Sequence, residues 1–198
     1  MLWWVLTTAW ADGLQAHSTR RELPSREVER AVVLQRGWRE LQLTQGAGGG
    51  TALVRAGLAD GLEVHARVGW LAHDELGLGA TIGLWRIEPP NTSVAVHVDH
   101  SLGPVALHRP QTRAVVVGRQ QWGGLLLTSE AGAAVAEAGV RPVAGAELAL
   151  QAGPFVWATN LDEASWGLRG AFELTRGFEI AALFDEHDGW SALVVGRY

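Results

Sequence analysis

From Gly37 to the end of the chain, apolar and polar residues alternate with a period of two, the mark of strands with two unlike faces. In Leu62–Trp70, the residues Leu62, Val64, Ala66, Val68 and Trp70 share one face, opposite Glu63, His65, Arg67 and Gly69. Trp166–Leu174 sets Trp166, Leu168, Gly170, Phe172 and Leu174 against Gly167, Arg169, Ala171 and Glu173. Phe178–Asp185 repeats the pattern, as do Ser93–Asp99 and, more briefly, Ala146–Ala152. Turn residues punctuate these runs at Ala59-Asp60-Gly61, Pro89-Pro90-Asn91, Trp122-Gly123-Gly124, Arg141-Pro142-Val143 and Arg176-Gly177.

The pattern predicts strands at 38–45, 50–58, 62–70, 76–87, 92–100, 113–120, 123–129, 132–140, 145–157, 165–174, 177–184 and 190–198. That is about 12 strands, or ten if the glycine-alanine stretch 131–140 is wrongly divided. Their lengths approach the roughly 9 to 11 residues of a tilted membrane-crossing strand. If both termini lie on one side, the connections at 59–61, 88–91, 121–123, 141–144 and 175–176 face that side. Those at 46–49, 71–75, 101–112, 130–131, 158–164 and 185–189 face the other, and most are longer or more polar. Short inner turns and longer outer loops are the habit of an antiparallel up-and-down transmembrane barrel. The predicted fold is therefore all-β.

Alternation does not say which face looks outward. A soluble barrel buries its apolar face and a membrane barrel turns it to lipid. Two features favour the membrane. Trp38, Trp70, Trp122, Trp166 and Trp190 stand near strand ends, as does Tyr198, where interfacial aromatic residues belong. The polar face carries both signs of charge, at Glu63, Arg67, Glu147, Arg169, Glu173, Glu179 and Arg197. With His65, these are the expected lumen-lining residues, since charges inside a small barrel must pair.

The last strand adds a resemblance. Trp190, Ala192, Val194, Gly196 and Tyr198 alternate up to a terminal aromatic residue. This resembles the C-terminal signal of bacterial outer-membrane proteins, which more often ends in Phe. The run Val54–His65 is similar to tight hairpins of uncharacterised proteobacterial barrels, and the likeness extends loosely over 37–198. It implies a porin-like fold, an outer-membrane location, a lipid bilayer as surroundings, and an assembly machinery that reads the C-terminal strand. It implies no catalytic residues.

Composition changes this picture little. The net charge of -5 lacks the basic footprint that nucleic acid requires. There is no Cys, so there are no disulfides or thiolate sites. No apolar run reaches the roughly 18 to 20 residues of a membrane helix. Residues 1–11 are apolar and end in Ala9-Trp10-Ala11, which suggests a secretory signal segment. Residues 12–36 are strongly charged and suggest a periplasmic arm, leaving 37–198 for the barrel.

Candidate chemistry is sparse. Gly77, Gly79, Thr81 and Gly83 fall on one face and read as small interior residues, with the wrong spacing for a phosphate loop. His97 and Asp99 project to one side, so Asp99 could orient His97 as a general base beside Ser101. Metal ligation by His97, His100 and His108 carries less weight, and no cofactor or metal is expected. Asp185-Glu186-His187-Asp188-Gly189 reads as a solvated acidic loop without EF-hand spacing. The leading expectation is a narrow pore or structural envelope barrel, with the balance against an enzyme. The alternatives are a membrane-embedded hydrolase built on His97 and Asp99, and a soluble barrel holding an apolar ligand.

Overall fold

The computed structural model describes residues 33–34, 36–71, 76–87, 92–102, 111–162, 165–175, 177–186 and 188–198. The signal-like segment 1–11, nearly all of the arm 12–36, the 88–91 turn, His108 and His187 lie outside them. The strands are β1 (Arg39–Gly46), β2 (Gly49–Ala59), β3 (Leu62–Leu71), β4 (Leu76–Ile87), β5 (Thr92–Leu102) and β6 (Gln111–Trp122). They continue as β7 (Leu125–Ala136), β8 (Gly139–Ala152), β9 (Phe155–Asp162), β10 (Trp166–Thr175), β11 (Phe178–Asp185) and β12 (Gly189–Arg197). Each pairs antiparallel with its sequence neighbours, and β12 pairs with β1 to close a 12-stranded barrel. The closing register runs from Glu40 opposite Arg197 to Gly46 opposite Ser191. Tyr198 extends the seam, where its N–H donates to the Arg39 carbonyl and its own carbonyl accepts from the Arg39 N–H.

The strand count agrees with the alternation, but several connections do not. β7 runs unbroken through 130–131, where a loop was expected, and turns only after Ala136. Its sequence Ala-Gly-Ala-Ala-Val-Ala has little contrast between its two faces, so the period-two signal fades there. The expected turn at 141–144 lies inside β8, Pro142 included. Pairing of β8 with β9 begins only at Gly145, so Pro142 stands where the strand has a neighbour on one side. The real turn is Gly153-Pro154, with Gly153 at φ 60°, inside what reads as one strand over 145–157. β9 also runs to Asp162, through most of the expected 158–164 connection. The two false breaks are balanced by two missed turns, at 137–138 and 153–154, which leaves the count unchanged.

The apolar faces point outward. Val54, Val68, Leu78, Val116, Leu148 and Leu168 are all exposed on the outer wall. The opposite register is inward and buried, and it includes Glu40, Glu63, His65, Glu179 and Arg197. A soluble barrel would show the reverse.

Candidate functional site: a charged lumen

The inward face divides into a charged ladder, a polar cavity and an apolar wall. The ladder lies at the end of the barrel that carries the chain termini. Arg197 on β12 donates from Nε to Glu40 Oε2 on β1 (2.8 Å), and its Nη2 lies 3.3 Å from Glu179 Oε2 on β11. Arg55 on β2 donates to Glu40 Oε1 (3.0 Å) and grips Glu63 on β3 with both Nε (2.7 Å) and Nη2 (2.9 Å). Glu63 Oε2 also accepts the Leu34 N–H at 2.8 Å, which draws the segment before β1 against this mouth. The ladder thus joins five consecutive strands across the closing seam. Glu40 has no exposed surface, and neither carboxylate could persist there without cationic partners.

The cavity, about 450 Å³, adjoins the ladder and is walled by β2 to β7. Arg55, Arg67, Arg113 and Arg119 face it, opposed by Glu63, Asp99 and Glu130. Arg113 pairs with Glu130 across β6 and β7. Side chains from β3 reach over β4 to β5. His65 Nε2 lies 3.0 Å from Asp99 Oδ1, and Arg67 Nη2 lies 3.4 Å from Asp99 Oδ2. The glycines of β4 clear that path. A Cβ at Gly79 would come within 2.3 Å of His65 Nε2, and one at Gly77 would touch the Arg67 side chain. His97 stacks on His65, with centroids 4.8 Å apart and planes 2° from parallel, and its Nδ1 meets Thr81 Oγ1 at 3.0 Å.

The third region is apolar. Leu126, Ala149, Val156, Ala158 and Ala171 form a buried cluster on β7 to β10.

The expected lumen residues take these places. Glu63, Glu179 and Arg197 build the ladder, and His65 and Arg67 line the cavity. Glu147, Arg169 and Glu173 share the inward register of buried Ala149 and Ala171. The ladder's central acid, Glu40, and its Arg55 were not singled out by sequence. They sit in Arg39-Glu-Leu-Gln-Leu-Thr and Leu53-Val-Arg-Ala-Gly, where alternation alone would have put them inward.

The expected catalytic pair is rearranged. Asp99 holds His65 and Arg67, while His97 is held by Thr81. Asp99 therefore does not orient His97. Ser101 lines the cavity without a side-chain bond to either. His100 faces the outer side, bonded to Thr112, away from His97.

Aromatic side chains ring both ends of the outer wall. Trp122 and Tyr198 stand at the terminus end, where Trp38 directly precedes β1. Trp70, Trp166 and Trp190 stand at the other, where Phe184 packs between Trp166 (5.5 Å) and Trp190 (5.3 Å). Trp85 and Trp157, not expected from sequence, are exposed on the outer wall toward the terminus end.

The sequence matches no protein-family model and no curated protein. Two solved structures share the fold. A KdgM porin aligns with a TM-score of 0.60 at 9% identity, over 81% of this chain and 98% of that one. A KdgM porin in complex with disordered oligogalacturonate aligns with a TM-score of 0.59 at 9% identity, over the same shares. The architecture is thus a porin-like, 12-stranded antiparallel barrel.

Proposed function

We propose that this chain is an outer-membrane channel that passes small hydrophilic solutes, with both termini on the periplasmic side. The observation that carries the reading is the inverted distribution of polarity: an apolar, aromatic-flanked exterior around a charged interior. Lipid accepts the exterior, and closure leaves no strand edge with unsatisfied backbone groups in hydrocarbon. The porin likeness supports the same reading at the level of fold.

Selectivity would be weak. Four arginines and three carboxylates line the cavity, so neither sign of solute meets a strong net field. The oligogalacturonate of the similar structure is a polyanion, and this near-balanced lining offers it no dense cationic track.

Reconstitution into planar bilayers tests the proposal. Discrete conductance steps with a small reversal potential in a salt gradient are expected. Glu130→Gln should shift that potential toward anion preference, because it leaves the Arg113 charge unopposed. Silent insertion of folded barrel, or current indifferent to Glu130→Gln, would overturn the reading. A second substitution checks the membrane itself. Val116→Arg puts a charge on the outer face midway along β6 and should destabilise the inserted barrel by about 2–4 kcal/mol.

A further inference from the structure

We infer that His65, His97 and Asp99 form a lumenal binding site for a first-row divalent cation of the zinc, copper or nickel type. One ligand atom from each residue lies within 4.8 Å of the others. The donor set decides the class of ion. Two imidazoles and a carboxylate suit zinc, copper and nickel, whereas calcium and magnesium take oxygen ligands. Zinc bound at its usual distances of about 2.0–2.1 Å separates tetrahedral ligands by about 3.3 Å. His65 Nε2 and Asp99 Oδ1, 3.0 Å apart, are already near that spacing. Closing the rest requires the His97 ring to turn out of its stack on His65, because the in-plane lone pairs of two parallel rings do not converge on one ion.

The surroundings are those of a built site. Thr81 Oγ1 occupies His97 Nδ1 and leaves Nε2 for the ion, an outer partner of the kind that orients metal-bound imidazoles. Arg67 contacts the other oxygen of Asp99, so Oδ1 can exchange its hydrogen bond from His65 for a metal bond. Gly79 leaves room for the His65 ring to reach from β3 over β4 toward β5. Three protein ligands leave a fourth position for water or a solute group, and all three line the cavity. A bound ion would add positive charge to a nearly balanced lumen and would staple β3 to β5.

The test needs no transport. Full-length barrel, folded in detergent, is titrated with Cu²⁺ and followed by electron paramagnetic resonance, with Zn²⁺ as competitor. One tight Cu²⁺ per chain with coupling to two imidazole nitrogens is expected, displaced by Zn²⁺. His97→Gln should reduce the coupling to one nitrogen and weaken binding more than about tenfold, and Thr81→Val should weaken it about tenfold with both nitrogens retained. Gly79→Ala should weaken binding with every ligand present, because its Cβ displaces the His65 ring. His100→Ala should change nothing. Two-nitrogen coupling that survives His97→Gln would overturn the site. So would wild-type affinity no greater than that of the His65→Gln/His97→Gln double variant. Either failure would leave the channel reading intact, since conductance is measured separately.

Discussion

Around the closing seam and on β7 to β10, the same inward register is filled in opposite ways. From β11 through β12 and β1 to β3, the inward side chains at the terminus end are long and charged, and each bonds a neighbour on the next strand. From β7 to β10, Leu126, Ala149, Val156, Ala158 and Ala171 are mostly small and apolar. Both regions are buried, but their cohesion differs in kind. The ladder is a chain of shared partners, so the loss of an inner member breaks bonds to both neighbouring strands. The apolar wall is a sum of local contacts, so a loss there stays local. At the seam, then, the lumenal charges are buried and paired, and they tie β12 to β1 beside the backbone ladder.

The sharpest way to break this contrast is Glu40→Ala. It removes the acid that bridges Arg55 and Arg197, losing two charge-assisted hydrogen bonds worth about 1.5–3 kcal/mol each, an expected total of about 3–5 kcal/mol, while Arg55 keeps Glu63 and Arg197 keeps Glu179. Urea unfolding in lipid vesicles measures it, and a loss below about 1 kcal/mol would mean that the ladder does not act as a unit. Leu126→Ala, in the apolar wall, should cost about 2–3 kcal/mol by cavity formation. Combined with Glu40→Ala, it should add within about 0.5 kcal/mol, because the two sites share no partner. Gly79→Val should cost about 1–2 kcal/mol by crowding. It should also break the His65–Asp99 bond, visible as a shift of the His65 ring nitrogens in NMR spectra. Glu130→Gln should cost least, under about 1 kcal/mol, because the Arg113–Glu130 pair is partly solvated, unlike the ladder. The same variant is the one expected to move the reversal potential, which separates lumenal charge used for stability from lumenal charge used for selectivity.

Tertiary structure alone explains why Glu40 matters. In sequence it is one acid among several, 157 positions from Arg197. Period two could place both inward, but only the β1–β12 register sets them opposite each other. The histidine cluster has the same origin. His97 and Asp99 are visible as same-side neighbours in one strand, which suggested a dyad. His65 enters from a strand two places away, and it takes Asp99 for itself because Gly79 removes the intervening bulk.

The sequence by itself determined the period-two wall and, wherever apolar and polar residues contrast, which residues share a face, because those depend only on the alternation of side chains along an extended backbone. It even marked the glycine stripe of β4 as small interior positions. It could not place the turns within 130–154, where alanine and glycine blur the two faces and Pro142 imitates a break. Which face looks outward, which charges meet, and what the glycine stripe makes room for were decided by closure. Those depend on register between strands far apart in the chain, and a register is a property of the pair and not of either strand alone.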